Sequence, residues 1–234
     1  MDTLILFARL LWKFTVEKEN FGELDKSFFY LPLKNIIFGV SLVVIAFFSL
    51  YYFPSSIVRL LLLAAIIYAT EIHRLSAGLT VVKKVLFKKE CDERTNNYFP
   101  IFFTATIVFV ILFKYVTLGE YFGKELFAIL IVFPITGAFS SILTYWLYLS
   151  MSDGTNYKKN SDVKDFVVSL VVILIIGLAL LRFRFFLILG CATAVSVFMG
   201  KYLVYKNGGI DKNCLAVIAE TSELVALLAG TMVL

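Results

Sequence analysis

Charge, cysteine and histidine are all scarce in this sequence. Only 17% of the 234 residues are charged against 60% hydrophobic, and the mean hydropathy is +0.89. That balance excludes an ordinary soluble domain, because so much apolar surface cannot be hidden inside one water-facing core. Cys91, Cys191 and Cys214 stand at unrelated spacings, two of them in or beside apolar segments, which excludes a disulfide framework and a zinc pattern. They read as inert. The single histidine, His73, is weak evidence of chemistry by itself, since at a membrane interface such a residue is more often a structural hydrogen-bonder than a base or ligand. No internal repeat is visible, which counts against a transporter. Asp2, Arg9 and Lys13 interrupt the apolar region that a cleavable signal peptide needs, so the mature chain is expected to start at Met1.

What the chain has in quantity is apolar length. Seven runs, at about 34–53, 56–72, 98–118, 125–149, 165–181, 185–205 and 214–234, are each long enough to cross a hydrocarbon core of roughly 30 Å as a helix. Backbone hydrogen bonds cannot be left open in lipid, and the runs are too long and too uniformly apolar for barrel strands. The expected fold is an all-α polytopic membrane bundle of about seven transmembrane helices, a single integral membrane domain over 1–234. Tight turns separate the first two runs near 53–56, and the fifth and sixth at Arg182-Phe183-Arg184.

The basic residues orient the bundle. Segments 1–33, 73–97, 150–164 and 206–213 hold most of them, including Arg74, Lys83, Lys84, Lys88, Lys89 and Arg94, so these segments are expected on the cytoplasmic side. Arg182 and Arg184 run against the rule. The N-terminus is then cytoplasmic, the C-terminus outside, and every polar segment with chemical potential shares one side of the cell membrane. Residues 4–14, with Trp12 among apolar neighbours, read as an interfacial helix.

Three polar constellations stand out. In the last apolar run Glu220 and Glu223 lie three apart, on one helical face. A charge near the middle of a bilayer costs from about 3 to more than 10 kcal/mol, so such residues face a bundle interior, a cavity or a cation. Two carboxylates at that spacing can share a divalent ion when a substrate phosphate supplies further oxygens, or they can pair with lysine or serine inside the bundle. Ahead of them, Gly208-Gly209 permits backbone angles other residues avoid, and Asp211 and Asn213 stand where side-chain oxygens cap a helix start. The second constellation is the 73–97 loop. It runs from His73 and Arg74 through Lys83 and Lys84 to Asp92 and Arg94, where an Asp-x-Arg pair can hold a cation and a phosphoryl oxygen together. The third, residues 152–159, reads as a turn.

These residues resemble the cobalamin synthase family, the adenosylcobinamide-GDP ribazoletransferases. The likeness is strongest at the chain end, where Gly208, Gly209, Leu215, Glu220, Glu223 and Leu224 match in ungapped register; Asp211-Lys212-Asn213 replaces the family's Thr-Gly-Asp turn. His73 and the Asp92-Glu93-Arg94 stretch match the family's other signature, but the aspartates expected between them are missing. The resemblance implies Mg²⁺-dependent joining of α-ribazole or its 5′-phosphate to adenosylcobinamide-GDP, with release of GMP. In that reading Glu220, Glu223 and Asp211 hold the metal, and His73, Asp92 and Arg94 carry catalysis. Arg74, Lys83, Lys84, Gly208, Gly209 and Asn213 bind substrate. The partners implied are these two substrates and the bilayer, with no nucleic acid; an oligomer stays open. Two further readings remain: a relative that keeps the fold without turnover, and a small transporter. If the resemblance carries the activity, chelating Mg²⁺ abolishes GMP release by membranes without lowering the melting temperature of the bundle.

Overall fold

The computed structural model describes residues 24–68, 78, 81, 93–148 and 163–233. The interfacial helix expected at 4–14 and most of the 73–97 loop lie outside the described residues. Seven α-helices follow one another: α1 Leu24–Tyr52, α2 Ser55–Ile66, α3 Glu93–Gly119, α4 Gly123–Tyr148, α5 Val163–Leu181, α6 Arg184–Asn207 and α7 Lys212–Val233. No strand occurs among the described residues, and each expected apolar run carries one helix, as a helical membrane bundle requires. Four helices contain stretches long and apolar enough to cross a membrane: Lys34–Tyr52, Gly123–Tyr148, Arg184–Asn207 and Asn213–Val233. Three further apolar stretches, Ser55–Ile66, Thr104–Gly119 and Phe166–Leu181, are shorter.

Local chemistry sets the turns. Pro54 ends α1 and starts α2, its fixed φ of −58° leading directly into the helix. Between α5 and α6 the reversal is made by Arg182, at φ 54°, whose N–H still bonds Leu178 O at 3.0 Å. Gly208 closes α6 in the left-handed conformation at φ 76°, its N–H returning to Val204 O at 2.8 Å. Asp211 then opens α7, its Oδ1 accepting the Cys214 N–H at 2.8 Å. At the other end of the molecule the buried phenol of Tyr121, between α3 and α4, donates to Leu227 O of α7. Burial, with a smaller contribution from Glu125, pushes that phenol well above its ordinary pKa and keeps it a donor.

α4 is the central helix. It packs against α1, α5, α6 and α7, while α7 also meets α6 and α3, and α2 lies against α1 and α3. Large apolar side chains such as Phe133, Ile129 and Ile135 of α4 are fully buried, together with Leu42, Leu62, Phe185 and Leu227. Phe47, Phe48, Phe109, Phe198 and Met232 instead point outward and are well exposed, an arrangement that suits lipid and not water.

Close packing depends on one helix defect. Pro134 interrupts α4 and has no N–H to give to Leu130 O. Gly39 of α1 comes against that point, where an added Cβ would stand 3.0 Å from Leu130 O and 2.7 Å from Ile131 Cα. Both are backbone atoms that cannot swing aside. Gly39→Ala is therefore expected to force α1 off α4 and cost about 1–3 kcal/mol of stability, read as a lowered unfolding midpoint in detergent.

Candidate functional site

Serine and threonine on α4 turn one stripe of an apolar helix polar. Thr136, Ser140, Ser141 and Thr144 are all buried; Thr136 and Thr144 donate back to carbonyls of α4, and Ser140 Oγ has no hydrogen-bond partner among the described residues. Ser141 Oγ donates to Leu215 O of α7 at 3.1 Å, and Tyr148 Oη donates to Val197 O of α6 at 3.0 Å. Ser222 of α7 reaches Ala192 O of α6 at 3.5 Å. This seam stitches α4, α6 and α7 together, and the carboxylates of α7 lie beside it.

Glu220 and Glu223 point into the bundle. Glu223 is 1% exposed and Glu220 7%, and between them comes Lys114 of α3, with no exposure. Its Nζ stands 2.6 Å from Glu220 Oε1 and 3.6 Å from Glu223 Oε2. Glu220 Oε2 has no hydrogen-bond donor among the described residues. Room for Glu223 is made by Gly137 of α4, where an added Cβ would meet Glu223 Cγ at 2.5 Å and Ala219 O at 3.0 Å. The two glutamates follow Lys212, the first residue of α7, by eight and eleven positions, which puts them about 12–16 Å along the helix axis. They are interior groups, well removed from the helix end.

The other expected site residues are spread over that end. Asp211 is exposed and spends Oδ1 on the Cys214 N–H. It precedes Glu220 by nine residues, about 13 Å of helical rise, and cannot share an ion with the two glutamates. Gly208 and Gly209 form the turn, and Asn213 lies in the first turn of α7. Arg94 lies in the first turn of α3. His73, Arg74, Lys83, Lys84 and Asp92 lie outside the described residues, but two of their neighbours do not. Val81 packs with Leu203, Cys214 and Ile218, and Gly78 approaches Val217 Cγ2, 3.4 Å from where its Cβ would be. Gly78 and Val81 thus meet the α6–α7 end of the bundle.

Glu220 and Glu223 do not fit the magnesium ion expected of them. Mg²⁺ takes six oxygens at about 2.0–2.1 Å and usually keeps several waters, whereas here the space between the carboxylates is buried and holds an ammonium. A divalent ion about 4 Å from that ammonium would meet about 8 kcal/mol of repulsion at an effective dielectric of 20. Among the described residues no group of three or more His, Cys, Asp or Glu side chains gathers. The pairing with lysine, one of the readings open from the sequence, is the arrangement present. Lys114 itself went unremarked in the sequence, although a lone lysine inside the 98–118 apolar run was the signal that could have found it.

A helical membrane protein with a charged triad buried in its core and a glycine turn at one end is the class these features define. Residues 101–231, more than half of the chain, match the family model for cobalamin-5-phosphate synthase, and the chain belongs to that family. The match runs from α3 to the end of α7 and takes in Lys114, Gly137, Gly208, Glu220 and Glu223. Among curated proteins and among solved structures nothing matches the chain. Family membership makes it a transferase of cobalamin biosynthesis, working on cobalamin intermediates in a membrane.

The contact between Gly137 and Glu223 yields a coupled test. Gly137→Ala alone is expected to cost about 1–3 kcal/mol. In a background where Glu223→Ala has removed Cγ and the carboxylate, the same change should cost much less, the difference appearing as a coupling energy in a double-mutant cycle of unfolding midpoints.

Proposed function

We propose that the protein joins α-ribazole or its 5′-phosphate to adenosylcobinamide-GDP and releases GMP, completing the nucleotide loop at the cytoplasmic end of the bundle in the cell membrane. Family membership supports the reaction class. The observation that supports the location is the packing of Val81 and Gly78 onto α6 and α7, two residues that stand between Arg74 and Lys83 in the sequence.

The chemistry needs a pyrophosphate neutralised, a hydroxyl held in line and charge stabilised on departing GMP. Arg94, at the start of α3, and Arg74, Lys83 and Lys84 in the loop are the groups suited to the phosphate oxygens. His73 would orient or deprotonate the incoming hydroxyl. Gly208 and Gly209 let a bulky substrate approach the backbone between α6 and α7. Magnesium remains part of the proposal, with Asp92 of the loop as the carboxylate to test for it. Glu220 and Glu223 have no part in holding it, because the Lys114 ammonium already stands between them.

That same ion pair favours a second reading, a family member that keeps the scaffold and binds cobinamide-GDP without turning it over. One assay separates the two. Membranes carrying the protein, given adenosylcobinamide-GDP and α-ribazole, should release GMP in step with cobalamin formed. Arg94→Ala should lower that rate about a hundredfold while leaving the unfolding midpoint of the bundle in place. Binding of adenosylcobinamide-GDP with no GMP released would favour the second reading and end the first.

A further inference from the structure

We propose that Lys114 is the resident cation of the Glu220–Glu223 pair, its ammonium standing where a shared divalent ion would stand, so that the pair tethers α3 to α7 instead of holding a metal. Three features of the site support this. The ammonium lies between the two carboxylates, 2.6 Å from Glu220 Oε1 and 3.6 Å from Glu223 Oε2, so one positive atom serves both acids. The site is buried: Lys114 has no exposure, Glu223 1% and Glu220 7%, and the ammonium takes the position an ion with its waters would need. α4 presses against it through Gly137, the one residue type that admits Glu223 there, since a Cβ would come within 2.5 Å of Glu223 Cγ.

The position of the lysine in α3 fits this role. It sits in the apolar stretch Thr104–Gly119, where an unpaired charge is expensive, and a long flexible stem that can reach two acids on a neighbouring helix resolves that expense. Removing one partner of a buried ion pair leaves the others uncompensated, whereas replacing all of them by neutral groups of similar shape is often tolerated. Tether and metal site therefore respond differently to the same substitutions. The inference is independent of the transferase reading, because its readouts are metal uptake and stability, not turnover.

The test uses the full chain purified in detergent and titrated with Mn²⁺ alone, free ion being followed by its paramagnetic resonance signal. The wild type and the triple variant Lys114→Met, Glu220→Gln, Glu223→Gln are expected to bind the same number of Mn²⁺ ions with affinities within twofold; one more ion on the wild type would overturn the proposal. Lys114→Met alone, with both acids left facing each other, is expected to melt at a lower temperature and to take up one additional Mn²⁺ that partly restores it. The triple variant should return the melting temperature to near that of the wild type. Lys114→Met melting like the wild type, with no gain of Mn²⁺, would also overturn it, as would a triple variant that fails to fold where the wild type folds. Should Lys114→Met fail to fold, the comparison of wild type with the triple variant still decides.

Discussion

Everything in this bundle is arranged around charge that has been taken out of water. Two carboxylates on α7 and an ammonium on α3 meet in a space that lipid cannot enter and water scarcely reaches, and each is tolerable only because the others are there. The pairing constrains more than its own atoms. It fixes α3 against α7 and demands a glycine at position 137 so that α4 can come close, beside a polar stripe on α4 from which Ser141 and Tyr148 bond carbonyls of α7 and α6. A bundle held only by apolar side chains would have little to tell one helix register from another, since lipid tails are as apolar as leucine. Here the polar groups set the register.

Close approach of backbones is the second theme. α4, nearly encircled by other helices, carries a proline that loosens its own ladder at Leu130, and α1 brings Gly39 to that place. The bundle thus uses its weakest backbone point as a contact surface. At its two ends the closures are of a different kind. Tyr121 fastens the α3–α4 turn to Leu227, while the α6–α7 end is built from Gly208, the Asp211 cap and the apolar cluster that Val81 joins. The α6–α7 end has the glycine turn, and the interior has the tightly paired acids. The family to which the chain belongs works on cobalamin intermediates in a membrane.

The bundle itself was plain from composition. Long apolar runs separated by proline, glycine and arginine turns leave no alternative to helices in lipid, and every run became a helix because each residue's backbone bonds are local. The α7 cap was equally legible, since Asp211 lies where the cap of a helix starting at Lys212 must lie. The candidate site was legible only in part. Glu220 and Glu223 announced themselves as buried acids needing a partner, but a pair of carboxylates one turn apart is as good for a cation from solution as for an ammonium from another helix, and nothing local distinguishes the two. Asp211, near them in sequence, is separated by more than two turns of helix and so belongs to a different place.

Helix, cap and turn follow from interactions within a few residues of one another, and for these the chain needed no neighbours: the seven helices, the left-handed glycine at 208 and the presence of costly buried acids were all decided by the order of the residues. Which cation answers those acids was decided only when α3 and α7 packed. Lys114 and Glu220 are more than a hundred residues apart, and the choice between lysine and metal depends on the depth at which the two helices cross and on the dryness of the space between them, properties that exist only in the assembled bundle.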